Sequence, residues 1–376
     1  MPNEPIHHRE IPEGFEPDDI PAPLRAIRGR GAVQNPTGRY EAASRAGDDP
    51  DELAGRRTVI RPLAVRDAMS RNDSPDVPFD RAVNPYRGCE HGCIYCFARP
   101  DHAYLGLSPG LDFEQVVFAK HDVAAALRRQ WARPSYVPAT LALGASTDPY
   151  QPAESELRLT RSVLALALEC GHPVGIVTKS NRVLADLDLL QALAERGLVR
   201  VFLSVTTLDA GLQRRLEPRA AAPHARIGAI ATLAEAGVPV GVLAAPMIPA
   251  VNDAELEAIL TAAHEAGASS AGWILLRLPR EVGPLFDGWL QAWLPERRER
   301  VLSLLRSARG GELYDSRFGV RMRGEGPYAA LLAQRFELTR RRLGLPSEVP
   351  PLTTALFQHP RPVASARPAV RQLELF

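Results

Sequence analysis

Three cysteines that lie close together are the residues of this chain best suited to unusual chemistry. They are Cys89, Cys93 and Cys96, and the chain contains four cysteines in all. Their spacing is too tight for a framework of structural disulfides, whereas thiolates are soft ligands that suit iron–sulfur clusters or zinc. We therefore expect one loop that wraps one inorganic group. The fourth cysteine, Cys170, ends an apolar stretch and is interpreted as a small buried hydrophobe of a helix.

The number of local ligands distinguishes the possible metal groups. A cubane cluster normally takes four cysteines, and here only three are local. Three ligands leave one iron open to a substrate or cofactor, and S-adenosylmethionine (SAM) is a radical carrier suited to that position. A structural zinc site completed by His91, His102 or Cys170 is one alternative. A simple electron-transfer cluster is the other, although its usual runs supply the fourth cysteine nearby.

From Ala82 onward, short apolar runs alternate with longer amphipathic stretches, which is typical of repeated strand–helix units with a parallel sheet. Predicted helices end at glycines, as expected where the last residue turns left-handed. The fold class that we predict is α/β, either a barrel or a doubly wound sheet, with reactive loops at the C-terminal ends of the strands. The predicted strands are Ala82–Tyr86, Thr140–Ala145, Pro173–Thr178, Arg200–Val205, Pro239–Ala245 and Ser270–Leu276, and the predicted helices include Asp186–Arg196, Ala225–Ala236 and Ala254–Ala266, followed by Gly197, Gly237 and Gly267.

Composition shifts divide the chain into four parts. Residues 1–78 form an N-terminal arm rich in Pro and Arg, to which we assign no catalysis, and residues 79–280 form the strand–helix region. Residues 281–350 are predicted to be a C-terminal helical cap, in which Pro295–Arg306 and Pro327–Leu343 are the clearest helices. Residues 351–376 are predicted to be a flexible tail.

Charge and hydropathy limit the partners of the chain. The net charge of +1 over 376 residues argues against a bulk electrostatic grip on nucleic acid, so any such contact must be local. The first thirty residues contain no apolar run that resembles a signal peptide or a membrane span. We expect a cytoplasmic location without a membrane partner.

The sequence around the cysteines is similar to that of a known superfamily. Cys-x-x-x-Cys-x-x-Cys after the first predicted strand resembles the radical SAM enzymes, and the context from Asn84 to Pro100 resembles the branch that includes spore photoproduct lyase and its uncharacterised relatives. This resemblance implies a partial (β/α)6 TIM-like barrel. It also implies a [4Fe-4S] cluster on Cys89, Cys93 and Cys96, and SAM bound at the open iron. Reductive cleavage would yield methionine and a 5'-deoxyadenosyl radical, with flavodoxin or ferredoxin as a typical electron donor.

The same resemblance implies a set of cofactor-binding residues. Tyr95 matches a position that packs on adenine, with loop packing as the alternative. Ser146 and Asp148 lie in a loop after the second strand that resembles the corresponding loop of the lyase. Lys179 resembles the lysine that meets the cofactor carboxylate, with a surface lysine as the alternative. Ser204 matches a cofactor-contacting serine, or satisfies local backbone.

Two positions depart from the lyase. Ala145 stands where the lyase has the cysteine that donates a hydrogen atom, and Phe97 stands where it has a tyrosine. Both departures argue against repair of spore photoproduct itself and leave radical generation untouched. Pro246–Pro249 and Arg277, after the fifth and sixth strands, are expected to shape the substrate pocket or the adenosyl site.

The C-terminal pentapeptide suggests a partner. Gln372-Leu373-Glu374-Leu375-Phe376 closely resembles the short peptide that bacterial repair and replication proteins insert into the sliding clamp. Docking of this end on its own domain is the alternative. Clamp binding would deliver a nearly neutral protein to DNA.

Together these features predict a radical SAM enzyme that acts on damaged DNA bases. The alternatives are a radical SAM enzyme acting on RNA, a protein side chain or a small metabolite, and a non-catalytic metal-bound adaptor of the clamp. The sequence assigns no residue to hydrogen abstraction or to quenching of the product radical.

Overall fold

The protein is described here by a computed structural model, which covers residue 27, residues 29–40 and residues 57–361. These residues form ten strands in two sheets. In chain order the strands are β1 (Val59–Pro62), β2 (Met69–Arg71), β3 (Arg81–Val83), β4 (Tyr86–Arg87), β5 (Val116–Ala119), β6 (Leu141–Leu143), β7 (Val174–Thr178), β8 (Val199–Ser204), β9 (Val240–Met247) and β10 (Ser270–Leu275).

The main sheet has seven strands in the order β10-β9-β8-β7-β6-β3-β2. Six of them run parallel, and β2 is antiparallel to β3. The six parallel strands follow chain order across the sheet without a reversal, whereas a doubly wound sheet reverses its order at a switch point. The sheet is therefore singly wound, in agreement with the predicted partial barrel.

Eleven α-helices lie between and after these strands in the described residues. They are α1 (Asp112–Gln115), α2 (Val123–Trp131), α3 (Glu154–Leu157), α4 (Leu159–Cys170), α5 (Leu187–Ala194), α6 (Ala210–Leu216), α7 (Pro223–Glu235), α8 (Leu256–Glu265), α9 (Val282–Trp293), α10 (Arg298–Ser307) and α11 (Gly326–Arg342). Short 3-10 helices span Arg99–Leu105, Asn181–Asp186, Asp253–Glu255 and Pro295–Arg297.

The two larger hydrophobic cores of the described residues contain different helices. The larger core lies between the sheet and its helices and includes Leu164, Ile176 and Leu260. The smaller core joins α9 and α10 to the segment that carries the cysteines, through Phe286, Trp289 and several others. Helices α9 and α10 thus share a core with the candidate metal loop, whereas α11 packs in the larger core.

Part of the predicted N-terminal arm is built into the sheets. Residues 59–62 form β1, which pairs in parallel with β5, and β4 completes this three-stranded sheet from the other side. Residues 69–71 form β2 at the edge of the main sheet. The pentapeptide at 372–376 lies outside the described residues. No helix in the described ranges has the length and apolar character needed to cross a lipid bilayer.

Candidate functional site

The three cysteines lie in one loop that begins directly after β4. Gly88 and Gly92 adopt positive φ angles of 81° and 68°, which glycine reaches without the steric cost of a Cβ. These two turns fold the loop back so that Cys89 and Cys93 are buried and Cys96 is half-buried. All three are free thiols. Cys89 and Cys93 belong to two different clusters of buried side chains, and Cys96 packs against both clusters. The three cysteines therefore form one packed unit.

A fully buried ion pair holds this loop from behind. Arg99 Nη2 donates to Glu114 Oε1 at 2.5 Å, and Arg99 Nε donates to the carbonyl oxygen of Cys93 at 2.9 Å. The same carboxylate accepts bonds from the backbone amides of Gly31 and Ala32 at 3.0 and 2.8 Å. The arm is therefore bonded to the side chain that fixes the cysteine loop. Sequence reasoning assigned no role to this contact.

Burial raises the pKa of the thiols of Cys89, Cys93 and Cys96. The nearby carboxylate of Asp148 raises the pKa of Cys89 further, as do the other two cysteines. Three desolvated thiolates in one loop repel each other unless a positively charged group compensates them. The donor set thus fits a group that brings several iron ions, because thiolates are the usual ligands of iron–sulfur clusters.

The side chains proposed to complete a zinc site point to other partners. His91 Nδ1 lies 3.3 Å from Asp148 Oδ2, and His102 Nε2 lies 2.9 Å from the carbonyl oxygen of Val116. Burial lowers the pKa of His102 to about 4. Cys170 ends α4 and packs in the larger core. In the described part of the chain, no three His, Cys, Asp or Glu side chains are grouped so as to hold one metal ion.

Asp148 connects the loop after β6 to the end of β7. Its carboxylate accepts bonds from Tyr150 N at 2.8 Å, Thr178 Oγ1 at 2.7 Å and Lys179 N at 2.7 Å. Burial alone would raise the pKa of Asp148, but His91 and the bonds from Lys179 N and Thr178 Oγ1 lower it to about 2. Asp148 is therefore ionised, and its oxygens are occupied by protein donors.

Ser146 lies two residues before Asp148 in the same loop. Its backbone amide donates to Asn84 Oδ1 at 2.9 Å, which anchors the loop after β6 to the segment before the cysteines. The Ser146 side chain is half-buried. The loop is positioned beside the cysteine segment, while its predicted contact with a cofactor stays a prediction.

Lys179, Ser204 and Tyr95 meet at the carboxyl ends of β7 and β8. Ser204 faces away from the helices because the alternate residues Val201 and Leu203 pack in the larger core. Lys179 Nζ donates to Ser204 Oγ at 2.5 Å. It also lies 5.8 Å from the centroid of the Tyr95 ring. The structure thus brings together three residues that were predicted from separate segments.

Beneath this group lies a buried ion pair that sequence reasoning missed. Glu217 and Arg226 are almost fully buried and hydrogen-bonded to each other. Glu217 also accepts bonds from Thr206 Oγ1 at 2.5 Å and from the hydroxyl of Tyr95, and it lies 3.8 Å from Lys179 Nζ. Burial would raise the pKa of Glu217, but Arg226 and Lys179 lower it to about 2. This carboxylate is an anionic support for Lys179.

A signal for this pair was present in the sequence. Arg226 lies in α7 on the same helical face as Ala229, Ile230 and Leu233, which are all buried. A charged residue on an apolar face requires a buried partner. The partner Glu217 precedes the helix in an irregular segment, where no periodicity marks it.

The two regions expected to shape the substrate pocket or the adenosyl site, Pro246–Pro249 and Arg277, differ in exposure. Met247 and Ile248 are fully buried, within a segment that includes Pro246 and Pro249. Arg277 is half-buried, and its guanidinium carbon lies 5.0 Å from the centroid of the exposed Phe97 ring. Both predicted regions present a side chain to the cysteine loop, because Ile248 packs in the same smaller core as Cys93 and Tyr95.

Comparison with known proteins agrees with this geometry. The family model of the Radical SAM superfamily matches residues 83–263. An uncharacterised protein of Mycobacterium tuberculosis is 37% identical over 232 residues, which are 61% of this chain and 67% of the relative. An uncharacterised protein of Methanocaldococcus jannaschii is 26% identical over 173 residues, 46% of this chain and 62% of the relative.

Solved structures of spore photoproduct lyase share the fold. A cysteine-to-serine mutant superposes with a TM-score of 0.53 and 19% identity, covering 81% of this chain and 85% of the lyase. A cysteine-to-alanine mutant with dinucleoside spore photoproduct gives a TM-score of 0.54 and 17% identity, covering 82% and 86%. The family match, the relatives and the cysteine loop at the carboxyl ends of parallel strands lead to one conclusion: this chain belongs to the radical SAM superfamily.

Proposed function

We propose that the chain holds a [4Fe-4S] cluster on Cys89, Cys93 and Cys96, binds SAM at the open iron, and acts on a damaged base in DNA. One observation carries the proposal. The cysteine loop and the contact between Lys179 and Ser204 lie at the same ends of the parallel strands, where reactive loops of such sheets are found. When bound, the cluster would supply the electron that cleaves SAM into methionine and a 5'-deoxyadenosyl radical.

Different residues of the chain would contact different parts of SAM. Lys179 offers an ammonium, a compact point charge suited to a carboxylate. Glu217 lies 3.8 Å from that ammonium and orients it, together with Ser204. Tyr95 presents an aromatic face beside it, while its hydroxyl is bonded to Glu217 and Thr206. Ser146 and Asp148 would border the adenosyl part.

DNA is the substrate class that we favour. The lyase with the same fold has been solved with dinucleoside spore photoproduct, and the tail 372–376 resembles a clamp-binding peptide. Alanine at position 145 argues against spore photoproduct itself as the substrate. A base inside a duplex would have to be extruded to reach the cysteine loop. The sliding clamp and a flavodoxin or ferredoxin are the proposed protein partners.

The test is anaerobic purification followed by reduction. The wild-type protein should be brown, contain iron and sulfide, and release 5'-deoxyadenosine and methionine from SAM. Cys89→Ala, Cys93→Ala and Cys96→Ala should each lose iron, while Cys170→Ala should retain it because Cys170 packs in the larger core. A colourless zinc protein that ignores SAM would instead support the clamp adaptor.

The substrate class is tested separately. Oligonucleotides that carry damaged bases should accelerate formation of 5'-deoxyadenosine relative to undamaged ones. If SAM cleavage proceeds but no nucleic acid accelerates it, the DNA part of the proposal is wrong. Acceleration by RNA, a protein or a small metabolite would identify the alternative.

A further inference from the structure

We propose that three segments beside the cysteine loop form a surface that binds unpaired nucleotides of DNA. We name this surface the aromatic rim and define it by Arg39 and Tyr40, by Phe97 and Tyr104, and by Arg277 and Arg280. This inference rests on the proposed function, because it specifies how a DNA substrate would be held near the cysteines.

The first observation is the concentration of exposed aromatic rings. Tyr40, Phe97 and Tyr104 are 58%, 45% and 60% exposed. Phe318 is the one other large aromatic residue that is exposed in the described residues, so three of the four belong to this surface. The rings of Tyr40 and Tyr104 lie together, with centroids 5.4 Å apart and planes inclined by 32°. Exposed aromatic faces are stacking platforms for bases whatever the sequence.

The second observation is that arginines accompany each ring. The guanidinium carbon of Arg39 lies 5.4 Å from the Tyr40 ring centroid and 5.7 Å from that of Tyr104. Arg280 Nη1 lies 3.4 Å from the Tyr104 hydroxyl oxygen. With Arg277 near Phe97, the rim alternates cationic and aromatic groups, the combination that binds single-stranded nucleic acid.

The local charge is positive although the whole chain is nearly neutral. Arg39, Arg277 and Arg280 lie in the rim, and the exposed Arg87 lies next to it. The acidic groups near them are Glu281, which pairs with Arg39 at 2.5 Å, and Asp101, which Arg87, Arg280 and Arg39 all attract. Asp76 also attracts Arg277, and it pairs with Arg321. When Arg321 is counted with the four arginines, five arginines face three carboxylates, which leaves an excess of two positive charges for phosphate groups.

The third observation is the position of the rim. Phe97 directly follows Cys96, and Tyr104 lies in the 3-10 helix Arg99–Leu105 that continues the same loop. Arg277 and Arg280 follow the carboxyl end of β10. The rim therefore lies at the reactive end of the sheet. Single-stranded DNA whose bases stack on these rings would hold a neighbouring extruded base close to the cysteines.

The experiment measures fluorescence anisotropy of a labelled single-stranded DNA of about ten nucleotides with the anaerobic cluster-loaded protein. Tyr40→Ala and Tyr104→Ala should each weaken binding about tenfold, the loss expected for one stacked base. Arg280→Gln should also reduce the slope of log affinity against log salt by about 0.7, the value for one lost phosphate contact on a single strand. The iron content of each variant verifies that the cysteine loop is intact.

Arg133→Gln is the matched control, because Arg133 is also exposed and lines a cavity beside Arg81, at the amino end of β3. It should bind DNA as the wild type does. Equal affinity for single-stranded and duplex DNA, tighter binding of RNA, or unchanged affinity in both tyrosine variants would overturn the aromatic rim. If the wild type cleaves SAM but does not bind single-stranded DNA, the rim alone is wrong. If it binds DNA but holds no iron, the proposed chemistry is wrong instead.

Discussion

The backbone of Gly31 lies against the backbone of Gly92 with no room for a side chain, since a Cβ on Gly31 would be 1.7 Å from the Gly92 carbonyl oxygen. Gly92 lies between Cys89 and Cys93, so the N-terminal arm touches the cysteine loop itself. Any residue larger than glycine at position 31 must displace one of the two segments.

The first prediction concerns this contact. Gly31→Ala should lower the iron content after anaerobic reconstitution and destabilise the protein by about 1–3 kcal/mol, because the displaced loop spreads its thiolates. Gly228→Ala is the control, since a Cβ at position 228 in α7 meets nothing within 4 Å. It should keep full iron content and gain stability of up to about 1 kcal/mol. Equal iron in both variants would show that the arm does not support the loop.

The second prediction concerns SAM affinity. Lys179→Met should weaken SAM binding by about 10- to 100-fold at unchanged iron content, because a hydrogen bond to a charged group contributes about 1.5–3 kcal/mol. Equilibrium dialysis with the cluster-loaded protein measures this. Arg182→Met is the control, since Arg182 is an exposed cation three residues away. Equal effects of the two substitutions would exclude a specific role for Lys179.

The same site allows a chemical test, because Lys120 and Lys179 are the chain's two lysines. Acetylation of Lys179, followed by peptide mass spectrometry, should slow when SAM is bound. Lys120 is buried directly after β5 and serves as an internal reference. Protection of both lysines, or of neither, would contradict the assignment of Lys179 to the cofactor.

The third prediction concerns the buried ion pair. Arg226→Met should destabilise the protein by about 3–5 kcal/mol in urea unfolding, because it leaves the Glu217 carboxylate buried without its main partner. The double variant Glu217→Gln with Arg226→Met should recover much of this loss. It should still bind SAM weakly, since Lys179 loses the anion 3.8 Å away. No recovery in the double variant would mean that packing, not charge, explains the loss.

The fourth prediction concerns pH. Burial raises the pKa of Glu154 to about 7, although the carboxylate accepts bonds from the amides of Thr160 and Leu159 at 2.8 and 3.1 Å. A folded-state pKa above the unfolded value gives stability that is present below about pH 4.5 and lost as the pH rises through about 7. The loss amounts to about 3 kcal/mol.

Comparison with Glu154→Gln isolates this effect. The free energy of unfolding of the wild type should fall relative to the variant between about pH 5 and about pH 8. Parallel curves for the two proteins over this interval would contradict the raised pKa.

The fifth prediction concerns the tail. Deletion of residues 372–376 should abolish binding to a bacterial sliding clamp, measured by surface plasmon resonance, and a synthetic peptide of that sequence should compete with the intact chain. Substitution of Leu375 and Phe376 by alanine should have the same effect, because these side chains would fill the apolar pocket. If the chain still binds the clamp after residues 372–376 are deleted, the tail is not the docking element.

Five of the six predicted strands are confirmed, because each reads as a short apolar run, such as Val174–Thr178. The other, Ala82–Tyr86, is confirmed in part, since the structure divides it into β3 of the main sheet and β4 of the small sheet. The glycines after the predicted helices are confirmed as well, since Gly197, Gly237 and Gly267 have φ angles of 66°, 76° and 94°. The helix Val282–Trp293 lies in the region 281–350 that was predicted to be helical, but it was not among the clearest predicted helices because two glycines and a proline weaken its local helical preference.

The part of the candidate site that could be predicted consists of residues at the carboxyl ends of predicted strands. Lys179 and Ser204 were predicted from the resemblance to the lyase, and the two residues meet because parallel strands bring their carboxyl ends together. Glu217 and Glu114 were not predictable, since Glu217 lies in an irregular segment, Glu114 lies in a helix of four residues that is too short to show a periodic pattern, and the partner of each is decided by tertiary packing. The arm contact at Gly31 was missed for the same reason.

Asp148 contacts both the cysteine loop and the backbone of Lys179. One carboxylate lies 3.3 Å from His91 in the cysteine loop and accepts the amide of Lys179 at 2.7 Å. Iron uptake that orders the loop should therefore also preorganise the lysine before SAM arrives. By thermodynamic reciprocity, bound SAM should strengthen iron binding by the same free energy by which bound iron strengthens SAM binding.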